Sequence, residues 1–307
     1  MVGRDLVSLL CDCGEPDVVA VLRSTPASLA NGCEPLIVSD LSDPAACETV
    51  AARSSGQGTL IHLAALTPAT VKSADDYQRV NAGMTEAVMR AAVAAGVPRV
   101  IYLSSTHACG ALTAGRPIDE DSPLVDGADA YGASKFAGET IVKRLALGSQ
   151  TRWTIVRAPL VYGPGVKGSL AALTRAVMRG VPLPFASITA NARDMIGQRN
   201  LAAFLQLCIR DERAANQAFA IRDGVPVSTR QLIEEIAAAA GRSARLVPVP
   251  PSLLKAAAQA AGAGQMIDRL AGDHRVNDAK ARQLLGWVAP KPMAFDVGRM
   301  VSSMQAI

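Results

Sequence analysis

The sequence predicts an α/β fold built on a doubly wound parallel sheet, with a smaller lobe in the C-terminal part of the chain. Three observations lead to this prediction. Short apolar runs alternate with alanine-rich helical stretches, the apolar runs are nearly continuous, and the pattern changes after about residue 160. Continuous apolar strands are typical of parallel sheets that helices cover on both faces. The chain has 307 residues, half of them hydrophobic, which is enough for one large domain or two closely packed lobes.

Strands and helices are predicted to alternate through the first half of the chain. The predicted strands are 17–23, 35–40, 59–65, 99–105 and 152–158, and the predicted helices are 3–13, 44–54, 76–95 and 131–147. Since crossovers between parallel strands are right-handed, these elements are expected to wind into one sheet with helices on both faces.

The second half of the chain has a different composition. Residues 162–168 and 179–194 are rich in glycine, proline or small residues and are predicted to be loops. Residues 226–241 are predicted to contain a helix for which Ser228 is the N-cap. This half is expected to cover the carboxyl edge of the sheet, where open α/β sheets bind their ligands.

Composition and charge argue against several functional classes. The net charge of +4 comes from 31 scattered basic and 27 acidic residues, so no nucleic-acid partner is expected. No run approaches the roughly 20 apolar residues of a membrane span, and no secretory signal is recognisable. The six cysteines and three histidines follow neither a disulfide nor a metal-ligand pattern. We therefore expect no metal, no membrane partner and a reducing, cytoplasmic location.

The segment YGASK contains the most informative pair of polar residues. Tyr131 and Lys135 lie four positions apart at the start of a predicted helix, so both side chains lie on one face. An ammonium group beside a phenol favours the phenolate and lowers its pKa. Tyr131 is therefore a candidate acid and base for interconverting a carbonyl and an alcohol, although a single such pair also arises by chance.

A pair of serines ends the predicted strand 99–105. Side chains at the carboxyl end of a parallel strand point into the ligand crevice. A hydroxyl at Ser105 could therefore hydrogen-bond a substrate oxygen together with Tyr131, which follows 26 residues later. The two signals in this order are more specific than either one alone.

Several short motifs resemble, in their order along the chain, those of the extended short-chain dehydrogenase/reductases. They are SDLSD, HLAA, VNAG, YLSS, YGASK, VRAPLVYGPG, RDMIGQRNL, RLAGD and LGW. Within that family they are similar to the nucleotide-sugar epimerases and 4-keto-sugar reductases. The resemblance implies a Rossmann-type fold, with Ser105, Tyr131 and Lys135 as catalytic residues. It implies substrate contacts from Ser105, Thr106, Arg193 and Arg269, the two arginines binding a diphosphate. The cofactor residues that follow from the resemblance are Gly3, Asp40, Leu41, Ala64, Ala65, Asn81, Tyr131, Lys135 and Pro159.

The resemblance also implies a division of the chain and a partner. The dinucleotide-binding domain would consist of residues 1–160 and about 195–222. The substrate-binding lobe would consist of residues 161–194 and 223–307. A homodimer is expected, with helices 76–95 and 131–147 at its interface.

The implied reaction is hydride transfer between a nicotinamide cofactor and C4 of a UDP-linked sugar, by an epimerase or a reductase. A dehydratase is not expected, because His107 and Ala108 stand where the family carries an acidic pair. NAD is the expected cofactor. However, Arg23 at the end of the predicted strand 17–23 stands where NAD binders usually carry an acidic residue, so NADP stays an alternative. The alternatives are an NADP-dependent reductase of a non-sugar alcohol or ketone, and a catalytically impaired family member.

The first residues, MVGRDLV, align with only the last part of the family's G-x-x-G-x-x-G loop, with Gly3 as the third glycine. The strand and two glycines that would come before are expected to be missing, which implies a start downstream of the natural one. The missing strand would be a central one. We therefore expect a gap of one strand between 17–22 and 59–63, about 9–10 Å instead of 4.8 Å.

Overall fold

The fold was determined from a computed structural model. It describes residues 2–15, 17–26, 28–56, 58–68, 73–110, 113, 115–123, 129–260 and 264–305, without the side chains of 265, 266, 268 and 269. Its strands are β1 (Val18–Leu22), β2 (Cys33–Ile37), β3 (Thr59–His62), β4 (Arg99–Ser105), β5 (Arg152–Ala158), β6 (Leu160–Tyr162), β7 (Met195–Gly197) and β8 (Gln217–Ala220).

The α-helices are α1 (Val2–Asp12), α2 (Pro44–Ala52), α3 (Ala74–Tyr77), α4 (Gly83–Ala94), α5 (Ala130–Ala146), α6 (Gly168–Met178), α7 (Gln198–Arg210), α8 (Thr229–Ala239), α9 (Pro251–Ala260), α10 (Gly264–Ala271), α11 (Ala279–Leu285) and α12 (Met293–Gln305). None of the helices in the described part of the chain is long and apolar enough to cross a membrane.

A four-stranded parallel sheet in the order β3-β4-β5-β8 forms the centre of the fold. Alternate side chains of its central strands face two different apolar clusters, as the period of two in a strand requires. Ile101 and Val156 pack with α1, α7 and α11, whereas Val100 and Ile155 pack with α2, α4 and α5. Helices therefore cover both faces, and the predicted α/β fold with a parallel sheet is confirmed.

Strands β1 and β2 form a separate parallel pair. Among the described residues, β1 pairs only with β2, and β3 pairs only with β4. In the described part of the chain β1 and β3 thus lie in different sheets, and the width of the expected gap stays a prediction. Leu6 and Leu10 of α1 share one apolar cluster with Val18 of β1 and Ile101 of β4, so helix packing connects the two sheets.

The predicted helix 76–95 is interrupted by a π-helical turn at Gln78–Ala82, which joins α3 to α4. Such turns are often found at functional sites. The predicted strand 59–65 is shorter in the structure and ends at His62. Beyond it, the backbone of Leu66 is hydrogen-bonded to the side chain of Asn81 in the π-helical turn.

A third apolar cluster lies in the second half of the chain. Helices α6, α8 and α12 supply most of its buried side chains. The predicted N-cap of α8 is confirmed, since Ser228 Oγ accepts from the Gln231 amide at 3.1 Å and Gln231 Oε1 accepts from the Ser228 amide at 2.8 Å. The division into two domains stays a prediction.

Candidate active site

The candidate site is built at the carboxyl end of β4 and the first turn of α5. Ser105 is the last residue of β4 and lies opposite Ala158 of β5. Tyr131 lies in the first turn of α5, which is capped by Asp129, whose Oδ1 accepts from the Gly132 amide at 2.8 Å. A Cβ at position 132 would overlap the carbonyl oxygen of His107. Glycine at 132 therefore allows α5 to approach the residues that follow Ser105.

The phenol of Tyr131 is a weaker acid than the sequence led us to expect. Burial raises its pKa to about 12, opposed by a hydrogen bond with Ser105, while the charges of Asp129 and Tyr77 add to the increase. The structure thus brings the predicted Ser105 and Tyr131 together. The expected lowering of the pKa by Lys135 is wrong, because the dominant effect is desolvation of the phenol.

Lys135 is buried, with 3% of its surface exposed. Burial lowers its pKa to about 7, and the charge of Glu139 opposes the change. Its Nζ lies 4.4 Å from the centre of the Tyr102 ring, a cation–π contact. Within the described residues no hydrogen bond or ion pair to Nζ is observed. A buried ammonium of this kind is costly unless it meets further polar groups.

A buried ion pair lies one helical turn beyond Lys135. Arg157 of β5 donates to Glu139 of α5 through Nη2 and Nε, at 2.8 and 3.0 Å, and Ser104 Oγ donates to the same carboxylate at 2.6 Å. This pair was not predicted from the sequence. The spacing of four residues between Lys135 and Glu139 was the only local signal, and nothing in the sequence indicated Arg157.

Asn81 holds the segment after β3 against α5. Its Oδ1 accepts from the Leu66 amide at 2.7 Å, and its Nδ2 donates to Leu66 O at 3.2 Å and to Ser134 Oγ at 3.0 Å. The predicted cofactor residues Ala64 and Ala65 lie in this segment, half-buried. Gly3, in the first turn of α1, lies near this segment, since a Cβ at Gly3 would lie 3.7 Å from Leu63 Cδ1.

The other predicted cofactor residues also follow strands. Pro159 is buried directly after β5, and Leu41 packs on the cluster beneath α2 and α4. Arg23 follows β1 and is exposed, as is Asp40 beyond β2. The pKa of Asp40 is lowered by hydrogen bonding to Ser42 and, to a smaller extent, by the charge of Arg23, so these two residues lie near each other.

The predicted substrate residues come from both halves of the chain. Thr106 is fully buried, with Oγ1 2.8 Å from His274 Nε2. The backbone of Arg193 pairs with Val227 and His274, and its Nη1 donates to Gly272 O at 3.1 Å. Gly272 follows α10, the helix of the second predicted arginine. The side chain of Arg269 lies outside the described part of the structure.

His107 packs beside Tyr131. Its Nδ1 lies 3.4 Å from Asp129 Oδ2, and its ring centre lies 6.0 Å from that of Tyr131 and 5.7 Å from that of His274. No role of Asp129 or His274 was predicted from the sequence. Asp129 could have been recognised as an N-cap, but His274 comes from a distant segment. In the described residues no group of three or more His, Cys, Asp or Glu side chains could hold a metal ion.

The fold and the site define an α/β protein whose polar groups converge at the carboxyl edge of a parallel sheet. A sequence profile of the NAD dependent epimerase/dehydratase family matches residues 1–221, and the chain belongs to this family.

A UDP-glucose 4-epimerase of Vibrio cholerae is 36% identical over 219 residues, which are 71% of this chain and 66% of that protein. The match thus spans just under two thirds of that relative. A 4-hydroxy-2-methyl-3-oxo-4-farnesyl-3,4-dihydroquinoline-1-oxide ketoreductase of Stigmatella aurantiaca is 27% identical over 93% of this chain and 88% of its own length. A UDP-glucose 4-epimerase of Thermotoga maritima, solved with UDP-glucose, superposes with a TM-score of 0.78 at 18% identity and covers 100% of this chain and 96% of that chain.

Proposed function

We propose that this protein transfers a hydride between NAD and C4 of a UDP-linked sugar, as an epimerase or a reductase. The observation that carries this proposal is the meeting of Ser105 and Tyr131 at the carboxyl end of β4, with the buried Lys135 four residues further along α5. The Vibrio cholerae relative supports a UDP-sugar substrate, and the family supports NAD.

The residues at this edge fit a nicotinamide cofactor. The buried Nζ of Lys135 calls for a polar group such as a ribose hydroxyl, and the Asn81 side chain holds the backbone of Leu66, at the end of the segment that follows β3. When bound, NAD accepts a hydride from a carbinol carbon and returns it to a carbonyl carbon. Lys135, Tyr131 and Pro159 would hold its nicotinamide riboside part, and Asp40 with Leu41 its adenosine part.

The side chains of this chain handle the proton. Ser105 hydrogen-bonds the reacting oxygen and orients it toward the phenol of Tyr131. In the oxidising direction Tyr131 takes the hydroxyl proton, and in the reducing direction it donates a proton to the carbonyl oxygen. A pKa raised to about 12 keeps the phenol protonated at neutral pH, which suits proton donation.

The second lobe supplies contacts for the diphosphate in this proposal. Arg193 is half-buried and contacts the segment that follows α10. The helix α10 itself carries Arg269. Guanidinium groups bind diphosphate oxygens in pairs and keep their charge at all working pH values. We further propose a homodimer through α4 and α5 and a cytoplasmic location, with which six unpaired cysteines are compatible.

The test is an assay of the purified chain with UDP-glucose, with and without added NAD(H) and NADP(H). Formation of UDP-galactose without net cofactor consumption would identify an epimerase, whereas oxidation of NADH by a UDP-4-keto-sugar would identify a reductase. We expect Tyr131→Phe to abolish turnover while cofactor binding is retained. Full activity of Tyr131→Phe would contradict the mechanism. Failure to bind any of the four cofactors would favour a catalytically impaired family member.

A second candidate is an NADP-dependent reductase of a non-sugar ketone. The Stigmatella aurantiaca ketoreductase matches nearly the whole chain, and Arg23 follows β1 as an exposed cation near Asp40. An arginine there suits a 2′-phosphate. Tighter binding of NADPH than of NADH, reversed by Arg23→Asp, together with no turnover of UDP-sugars would favour this candidate.

A further inference from the structure

His107 faces Tyr131 without belonging to the proposed set of Ser105, Tyr131 and Lys135. The edge of one ring points at the other, with ring centres 6.0 Å apart and planes at 66°. About a quarter of the His107 side chain is exposed, so the ring is sheltered but open to a ligand. A polar side chain beside the phenol is well placed to contact what Tyr131 acts on.

Asp129 determines which nitrogen of His107 carries the proton. One carboxylate oxygen accepts from the Gly132 amide at 2.8 Å, and the other lies 3.4 Å from His107 Nδ1. A carboxylate only accepts hydrogen bonds, so a neutral His107 places its proton on Nδ1. The other ring nitrogen, Nε2, then carries a lone pair and accepts a hydrogen bond.

Neighbouring groups on both sides fix the position of this ring. The backbone of His107 is in direct contact with Gly132, and its amide donates to Ser105 Oγ at 3.2 Å. The centre of the His274 ring lies 5.7 Å from that of the His107 ring, and His274 is itself hydrogen-bonded to the buried Thr106. The ring of His107 is therefore held between α5 and the second lobe.

We propose that His107 is a specificity-determining residue whose Nε2 accepts a hydrogen bond from the substrate hydroxyl next to the reacting carbon. For a sugar that reacts at C4 this is the 3-hydroxyl. The inference depends on the proposed function, because it takes the reacting oxygen to lie between Ser105 and Tyr131. A site with a fixed acceptor discriminates against analogues that lack the hydroxyl, since the acceptor is then left unpaired.

The experiment measures kcat/KM of the NAD-loaded protein for UDP-glucose and for its 3-deoxy analogue. We expect the wild type to prefer UDP-glucose by about tenfold or more. His107→Leu removes the acceptor and should reduce this preference to nearly one, mainly by raising KM for UDP-glucose.

His107→Gln is the matched variant that separates this role from a structural one. It removes the ring as His107→Leu does but keeps a hydrogen-bond acceptor, the side-chain amide oxygen. We expect His107→Gln to retain much of the preference that His107→Leu loses, with thermal unfolding and NADH affinity unchanged in both variants. A merely structural role would change unfolding and leave the preference intact.

The outcomes distinguish the two proposals. If the wild type turns over UDP-glucose and His107→Leu keeps the same preference over the 3-deoxy analogue, the role of His107 is overturned and the proposed function stands. If the wild type turns over neither sugar nor any UDP-4-keto-sugar, the proposed function fails and this inference fails with it.

Discussion

Glu139 and Arg157 form an ion pair in the interior of the protein, with Nη2 of Arg157 2.8 Å from Oε2 of Glu139 and each side chain only 3% exposed. Arg157 also donates from Nη1 to the carbonyl oxygens of Asp119 and Ser122, at 2.9 and 3.0 Å. The pair thereby joins α5 to β5 and to the loop before α5. It supports the helix that carries Tyr131 and Lys135.

Loss of Arg157 alone should destabilise the protein strongly. Arg157→Met leaves the Glu139 carboxylate buried without its partner, so we expect the free energy of unfolding to fall by about 3–5 kcal/mol. The double variant Glu139→Leu with Arg157→Met should recover much of this loss, since both desolvation costs disappear together. Urea unfolding measures the effect. The control is the exposed pair of Arg90 and Glu86 on α4, where Arg90→Met should cost less than about 1 kcal/mol. Equal losses for the two arginine variants would contradict this account.

Gly132→Ala should disturb the site without removing any polar group. The added methyl would overlap the backbone of the residues after β4, so α5 must shift at its first turn. We expect a loss of stability of about 1–3 kcal/mol and a larger loss of turnover. Gly298→Ala in α12 is the matched control, because nothing lies within 4 Å of a Cβ there. That variant should be neutral or more stable by up to about 1 kcal/mol. Normal activity of Gly132→Ala would be evidence against the close approach.

Stability should decrease in acid partly because of His62. Burial and the charge of Lys135 lower its pKa to about 3, from 6.5 in the unfolded chain. Between these values the unfolded state binds more protons, so stability rises with pH and is lost as the pH falls below 6.5. The cost is at most about 2 kcal/mol between pH 7 and 5. We expect His62→Gln to show a flatter dependence of the free energy of unfolding on pH. Identical slopes for both proteins would show that His62 binds its proton equally well in the folded and the unfolded state, against this account.

Asn81→Asp should weaken cofactor binding. The carboxylate cannot donate to Leu66 O or Ser134 Oγ, so the segment after β3 loses its attachment to α5. We expect the affinity for NADH, measured by fluorescence titration, to fall by about tenfold. Asn191→Asp is the control, because Asn191 is likewise buried and donates to Thr229 Oγ1 and Leu270 O in the second lobe. It should lower the thermal stability as well but leave NADH binding unchanged. If both variants bind NADH normally, Asn81 has no part in shaping the cofactor site.

The sequence by itself determined the elements whose signals are local. Apolar runs predict β4 and β5 with the bounds that the structure shows, since a strand buried on both faces is rich in apolar side chains. The N-cap at Ser228 follows from hydrogen bonds within four residues of the chain. Ser105 and Tyr131 could be selected for the same reason, because their places at a strand end and in the first turn of a helix are local properties.

Only the tertiary structure decided the electrostatics of the site. The pKa of Tyr131 depends on how deeply the phenol is buried. The pKa of Lys135 is lowered by burial, and the charge of the Glu139 carboxylate opposes that change. Desolvation and Coulomb energies are set by distances between elements far apart in the chain, which no spacing pattern records. For the same reason, the contact of His107 with His274, 167 residues away in sequence, appears only when the second lobe packs on the sheet.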